Sequence, residues 1–395
     1  MQGFGGDMDA NVKTKFRWHP EARVFDAAGA VLAVAQGGGV IDPLPSGLAL
    51  ARALAQPGVP FRIGGVGALA AGPGAFETLT SGSSGQPRRI LRNVQSWTAS
   101  FAVNAQGFGI GPGASVAVLG QLVHSLALYG ALEAAHLGAE LHLLDALRPD
   151  RQRAALAARN VAVLYATPAQ LRLLVDVGGP QLPALRLVLV GGSKLDPRLC
   201  AGLAAMTGAE LREFYGAAEA SFITLAGPDA PADSVGAPYP GVQIEVRDGA
   251  IWVQSPYLFT RYAGADSGGA VWDQSWLSVG EIGRMEGGHL YLSGRAGRMV
   301  TVADQNVFPE EIEAFMTGLA GVVRVAVLPR KDVLRGAVMV AVLQGDASAE
   351  AAILAACRFQ YGTLKAPRAV VWLDDWPVLA SGKTDLRRLE SVLWP

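Results

Sequence analysis

Between residues 114 and 240 the chain alternates two patterns. Short apolar runs stand at Ser115 to Leu119, Leu141 to Leu144, Val161 to Tyr165 and Leu185 to Val190. Between them, apolar positions recur at helical spacing, as in Gln121 to His136 and Pro168 to Val175. Continuous apolar runs joined by helices predict a parallel sheet covered on both faces. Ligands of such sheets sit at the carboxyl ends of the strands. From 241 to 293 the pattern turns β-rich, with strands expected at Val242 to Arg247, Ala250 to Gln254 and His289 to Leu292. Beyond Gly297 a small α+β module is expected. It has a helix from Pro309, strands near Val322–Leu328 and Val338–Leu343, a helix near Ala349–Phe359 and a strand at Val370–Leu373. Pro309 suits a first helical turn, and Glu310, Glu311 and Glu313 complement the helix dipole.

The first 75 residues say less. Val24 to Ala35 reads as a hairpin around Ala28-Gly29, Leu44 to Leu54 as a short helix, and Gly37-Gly38-Gly39 as a turn. Ala75 to Leu79 reads as a strand, and Ile90, Val94, Trp97 and Phe101 recur at helical spacing. Between strand and expected helix lies Thr80-Ser81-Gly82-Ser83-Ser84-Gly85-Gln86-Pro87-Arg88-Arg89. Glycines let backbone N–H groups close around a phosphate, hydroxyls add donors, and a cation balances charge. The loop lacks the Gly-Lys-Ser/Thr ending of a P-loop, so alone it reads equally as a Ser/Gly linker.

Composition narrows the class. Hydrophobic residues make up 50% of the 395 residues and charged ones 17%, which fits a well-buried globular protein of one large and one small domain. A net charge of -1 without a long basic run argues against nucleic acid or an anionic membrane as partner. Asn104 to Leu132 carries no Asp, Glu, Lys or Arg, but Gly107-Phe108-Gly109-Ile110-Gly111-Pro112-Gly113 interrupts it. A turn, a buried strand and a buried helix are expected there, not a membrane span. The two cysteines, Cys200 and Cys357, and the five histidines form no metal-ligand spacing. A reduced, cytoplasmic setting is expected.

The Ser/Gly loop resembles the signature T-S-G-S-T-G-x-P-K of the adenylate-forming superfamily, which holds acyl- and aryl-CoA synthetases, peptide-synthetase adenylation domains and luciferases. Further blocks resemble that family in its own order. They are Gly191-Gly192-Ser193-Lys194, Phe214-Tyr215-Gly216-Ala217-Ala218-Glu219, Trp276 to Glu281, Gly294-Arg295-Ala296-Gly297-Arg298, Thr301 to Glu313 and Trp376 to Lys383. The resemblance runs from about Phe76 to Leu389. It implies an α/β fold: a large N-terminal domain of layered, mostly parallel sheets with a β-rich subdomain, and a small mobile α+β C-terminal domain. The domains would span 1–296 and 297–395 with a hinge at Gly297. Relatives have a longer segment before the Ser/Gly loop, so an abbreviated first lobe is expected.

The resemblance also implies roles. Thr80, Ser81, Gly82, Ser83, Ser84, Gly85 and Arg88 would hold the β- and γ-phosphates of ATP. Gly192 and Ser193 would line the adenine and acyl pocket. Tyr215 would stack on adenine beside Gly216, and Glu219 would bind Mg2+. Glu281 would hold the ribose hydroxyls, and Arg295 ribose and phosphate. His124 would lie beside the substrate carboxylate, and Lys383 would reach carboxylate and α-phosphate. Tyr129, Ser193, Phe214 and Ala220 are expected pocket walls for an aryl or medium acyl acid. The sequence departs from the family at Arg88, Ala218, Glu281, Gly297, Thr301 and Asp304. The expected activity is activation of a carboxylic acid as its adenylate, then thioester formation with CoA. Loading of a carrier-protein phosphopantetheine and a degenerate nucleotide- or acyl-binding protein stay open as rivals. A homodimer is a guess with no motif behind it.

Overall fold

The apolar runs become the middle of a sheet. The structure, a computed structural model, describes residues 15–80, 87–264, 269–379 and 383–394. Among them, nine strands form the largest sheet. Glu210–Ala217, Leu187–Gly191, Val163–Ala166, Ser115–Val118, Glu140–Leu143 and Arg23–Asp26 lie side by side in that order, all parallel. Antiparallel strands flank this run: Ser221–Ala226 beside Glu210–Ala217, and Gly29–Val31 beside Arg23–Asp26. Val163–Ala166 and Leu187–Gly191 are buried along their whole length, as a strand with helices on both faces must be. The helices between them start where the sequence satisfies their first amides. Thr167 and Gln170 form a capping box for Pro168–Asp176, and Asp196 caps Pro197–Met206. The uncharged run resolves as expected, with the strand Ser115–Val118 and the buried helix Ser125–Leu137. Among the described residues no helix is long and apolar enough to cross a membrane.

A second sheet joins Gly39–Ile41, Phe61–Ile63, Ala75–Leu79, Arg89–Asn93 and Arg261–Tyr262. Here one expectation fails. Ile90 does not open a helix: Arg89–Asn93 pairs antiparallel with Ala75–Leu79, with Leu79 opposite Arg89, and the helix begins only at Gln95. The ladder with Ala75–Leu79 satisfies this backbone, so the helical spacing of Ile90 with Val94 and Trp97 is coincidental. The Ser/Gly loop therefore closes a hairpin, and its ends are fixed by two strands.

The β-rich stretch forms a third sheet of Val271–Asp273, Trp276–Ser278, Ala250–Gln254, Glu281–Glu286 and His289–Arg295, with Gln243–Arg247 beside Ala250–Gln254. Beyond it come the hairpin Val300–Val302/Gln305–Val307, the helix Pro309–Thr317, and three strands, Val322–Asp332, Gly336–Gly345 and Ala369–Trp372. Helices Glu350–Lys365 and Leu386–Leu393 pack on this module.

The main core holds a polar network under the helix Ser125–Leu137. Glu133 is 0% exposed and accepts from Asn104 Nδ2 at 2.8 Å, from the Tyr129 hydroxyl at 3.4 Å, and from the Tyr165 hydroxyl. Ser100 Oγ meets the Tyr129 hydroxyl at 2.7 Å, and the Tyr239 hydroxyl donates to Asn104 Oδ1 at 2.7 Å. Burial pushes the Glu133 carboxyl up to about 8, so it stands protonated at neutral pH. Two expected pocket walls belong to this interior: Tyr129 is held inside the network, and Ala220 is buried in the same core. A ring with a satisfied hydroxyl and apolar neighbours on all sides is a core residue, which motif adjacency alone does not reveal.

Candidate active site

The turn between Glu210–Ala217 and Ser221–Ala226 carries the central carboxylate. The ladder slips between Tyr215 and Gly216. A Cβ on Gly216 would lie 2.1 Å from the Ser221 carbonyl oxygen, so this close approach requires glycine. Gly216, expected to touch the cofactor, thus has a backbone reason to be glycine. The bend sets Glu219 at the mouth of the sheet, where its carboxylate accepts from the Tyr262 hydroxyl at 2.8 Å.

A buried cation supports the turn from below. Arg92 is 1% exposed; its guanidinium donates to the carbonyls of Ala218 and Tyr257, the latter at 2.8 Å, and to Ser96 Oγ at 3.3 Å. Phe259 N donates to the Glu219 carbonyl at 2.7 Å, completing the clamp. Burial pulls the Arg92 pKa down to about 9, and the Glu219 charge opposes that shift. Sequence reasoning missed Arg92. No signal in the sequence marks it, because the strand that carries it beside buried Ile90 and Leu91 is itself hidden by helix-like spacing.

On the other side, Glu281 and Arg295 stand directly opposite each other in the ladder and pair at 3.0 Å. Burial raises the Glu281 pKa, while Arg295 and Lys383 lower it. Glu219 and this pair all act on Tyr215. Its phenol is raised first by burial and then by the Glu281 charge, and its buried hydroxyl has no protein partner. Lys383 is exposed, yet nearby protein weighs on its charge. Desolvation and then the Arg295 charge lower its pKa, while Glu281 raises it. A short hairpin presents it: Val378 bridges Thr384, Leu379 N donates to the Lys383 carbonyl at 2.8 Å, and Trp376 Nε1 donates to Thr384 Oγ1 at 3.1 Å. Glu281 and Arg295 are thus in direct contact, their charges act on Tyr215 and Lys383, and the Glu219 charge acts on Tyr215 and Glu281.

The two ends of the Ser/Gly segment are joined to each other. Thr80 N donates to the Arg88 carbonyl at 2.9 Å, and Arg88 N donates to Thr80 Oγ1 at 3.0 Å. Ser81, Gly82, Ser83, Ser84 and Gly85 lie outside the described residues. The Arg88 charge acts on the Tyr262 phenol, which places it near Glu219. Its neighbour Arg89 has a structural task. With Arg62 it pairs with Glu77, at 3.0 and 2.6 Å, and Glu77 is 0% exposed. Desolvation would raise that carboxyl, but Arg89 and Arg62 together hold it low.

His124 stands at the N-cap position of the helix Ser125–Leu137 without a side-chain cap bond, and Ser125 Oγ donates to the Leu79 carbonyl at 2.9 Å, so the helix start is tied to the loop strand. Burial lowers the His124 pKa and favours the neutral imidazole. Gly192 follows the strand Leu187–Gly191 with φ +113, and Ser193 beside it is exposed. A Cβ on Gly191 would lie 2.2 Å from Phe214 Cζ, so the Phe214 ring covers this strand end as an expected pocket wall should. His124, Gly192 and Glu219 lie just beyond the carboxyl ends of the parallel strands Ser115–Val118, Leu187–Gly191 and Glu210–Ala217.

The site suits a nucleotide triphosphate and its metal. The orphaned Tyr215 hydroxyl, the Glu281–Arg295 pair and Arg88 offer a donor and charges of both signs. Among the described residues no cluster of three or more acidic, His or Cys side chains could hold a metal alone. A magnesium ion is commonly held by one or two carboxylates together with substrate phosphates, and Glu219 would supply one such carboxylate here.

Comparison with known proteins agrees with this geometry. The AMP-binding enzyme family matches residues 73–263, and its C-terminal domain matches residues 311–383. An uncharacterized acyl-CoA ligase of Bacillus subtilis, YhfT, is 31% identical over 329 residues, covering 80% of this chain and 67% of the relative. Among solved structures, the amide bond synthetase McbA from Marinactinospora thermotolerans superposes with a TM-score of 0.77 at 20% identity, covering 97% of this chain and 98% of that one. The o-succinylbenzoate CoA synthetase MenE of Bacillus subtilis, with its acyl-adenylate, gives 0.71 at 21% identity over 80% of this chain and 68% of the other. Family match, relative and fold agree: the chain belongs to the AMP-binding enzymes.

Proposed function

We propose that the protein is an ATP- and Mg2+-dependent acid–thiol ligase. A substrate carboxylate oxygen attacks the α-phosphorus of ATP. The bond from that phosphorus to the bridging oxygen breaks, and pyrophosphate leaves. A thiol then attacks the acyl carbon of the adenylate, loses its proton, and expels AMP. Most of this catalysis is positioning and charge stabilisation. Lys383 would sit against the carboxylate and α-phosphate, Arg88 and the Ser/Gly loop against the outer phosphates, and Glu281 with Arg295 against the ribose. The metal, held through Glu219, would neutralise phosphate charge. The observation that supports the reading is the Glu281–Arg295 pair across one ladder, beside the buried, unpartnered Tyr215 hydroxyl, with charges that act on Lys383 of the small module.

The same reading divides the chain into bodies 1–296 and 297–395. Arg295 is held by Glu281 of the large body, and Arg298 by Glu310 and Glu313 of the small one, which leaves Ala296 and Gly297 as the pivot. CoA is the proposed acceptor. A carrier-protein thiol is the second reading, favoured by the hairpin Val300–Val307. There Ala303 and Asp304 take left-handed φ values of 45 and 65, so the tight turn persists while an acid stands at its tip. The unpaired Cys200 and Cys357 suit a reducing, cytoplasmic setting.

ATP–pyrophosphate exchange with a panel of aryl and aliphatic acids tests the first step. Exchange that depends on one class of acid is expected. Nucleotide binding with no exchange for any acid would instead make the protein a binding relative without chemistry. Competing CoA against a phosphopantetheinylated carrier protein decides the acceptor.

A further inference from the structure

We propose that Arg198 is a positioning residue that clamps the small module in the pose where Lys383 acts. The inference rests on the ligase reading above. Arg198 lies in the first turn of the helix Pro197–Met206, on the connection that leaves Gly192 and Ser193. Its Nη1 donates to the Val322 carbonyl at 3.2 Å and its Nη2 to the Leu319 carbonyl at 3.3 Å. Leu319 lies in the turn that follows the helix Pro309–Thr317, and Val322 opens the strand Val322–Asp332. A helix C-terminus is its negative pole, and a guanidinium fork can serve two carbonyls at once. The neighbouring Lys194 cannot substitute, because its ammonium is engaged by the Ser234 carbonyl.

The clamp joins the two proposed bodies at a distance from the pivot. Rotation about Ala296–Gly297 carries Arg298 along with Glu310 and Glu313, so those pairs survive the motion. The Arg198 bonds do not, because donor and acceptors belong to different bodies. In the pose that forms them, Lys383 feels Glu281 and Arg295. The clamp therefore favours adenylation and must open for the second step.

The test uses Arg198→Ala and Arg198→Lys in the full chain. Arg198→Ala should slow single-turnover pyrophosphate release by about tenfold, the worth of a modest charge-assisted contact, with the KM for ATP held within about twofold. Discharge of preformed acyl-adenylate by CoA should stay equal or quicken, and Arg198→Lys should recover much of the first step. Both half-reactions falling together, or neither changing, would overturn the clamp. Limited trypsin cleavage at the 295–298 connection gives a readout free of turnover. Faster cleavage in Arg198→Ala than in wild type is expected, and equal rates would overturn the clamp even if no acid supports exchange. Silence of the wild-type enzyme in exchange counts against the ligase reading alone.

Discussion

The Glu219 turn rests on a buried guanidinium, while the hairpin Val300–Val307 holds Asp304 out in solvent. Both carry departures from the family's sequence pattern, and the structure treats them differently. In the turn, Ala218 offers no hydroxyl, but its carbonyl is bound by Arg92, so the bend that aims Glu219 is secured through the backbone. Glu281 likewise meets Arg295 directly across the ladder despite its extra methylene. In the hairpin the turn is kept and its surface chemistry changes, because nothing buried depends on that tip. The residues proposed for the first step are fixed by buried packing, and the hairpin proposed to face the acceptor is exposed at its tip.

The largest expected break is at Lys383, the proposed catalytic cation supplied by the small module. Lys383→Ala should lower exchange by roughly 100-fold or more, the usual scale for losing one preorganised stabiliser of transition-state charge. Nucleotide affinity should change little, because the residues proposed for ribose and phosphate remain. Titration with a fluorescent ATP analogue separates the two effects, and a parallel loss of binding would reduce Lys383 to a docking contact.

Arg92→Met tests the buried side of the comparison. It leaves the Ala218 and Tyr257 carbonyls without their donor in the interior, at about 1–3 kcal/mol for each. Urea unfolding should show that loss, and Mg2+–ATP affinity should fall with it as Glu219 drifts. A variant that keeps its stability and its affinity would show that the turn supports itself.

What the sequence displayed follows the same division. Parallel strands, hairpin residues and small-module elements were legible because their apolar runs have one burial solution. The candidate acids and cations are legible as motif residues, and of these Glu281 and Arg295 meet directly across a ladder. Arg92 was not legible, because a lone arginine between Leu91 and Asn93 looks like a solvated strand edge until Tyr257 and Ala218 fold over it. The strand Arg89–Asn93 was hidden by apolar spacing that also fits a helix. Tyr129 was placed at a wall because chain neighbours of a motif need not share its surface.

Glu133 asks whether the floor under the His124 helix tolerates charge. Its carboxyl has an ordinary value of 4.5 and stands at about 8 in the fold, with burial as the leading cause. The folded protein thus keeps a proton that the unfolded chain loses. This contribution is fully present below the unfolded value and is lost as pH rises through the folded one, with slope set by the proton difference. Stability should therefore decline from about pH 5 to about pH 8 and level off above it. Glu133→Gln keeps the shape of the network without an ionisable group, so it should flatten that decline. Denaturant midpoints across the range check this, and an unchanged slope would mean that other groups set it.

The smallest effects belong to the solvent-facing hairpin, where the comparison predicts a separation of stability from chemistry. Ala303 holds φ 45, a conformation in which its Cβ crowds the backbone and glycine is at ease. Ala303→Gly should therefore raise stability slightly, by about 0.5 kcal/mol, with the entropy of the added glycine offsetting part of the relief. Asp304 is exposed, and CoA is a polyanion, so Asp304→Asn should lower the KM for CoA by about two- to threefold, an effect that added salt erases. Exchange should not change, because the first step does not use this tip. If Asp304→Asn slowed exchange as strongly as thioester formation, the hairpin would belong with the buried machinery and the contrast between the two regions would collapse. If instead the KM for CoA did not move while transfer to a carrier protein did, the acid at the tip would be a selector for that protein's surface.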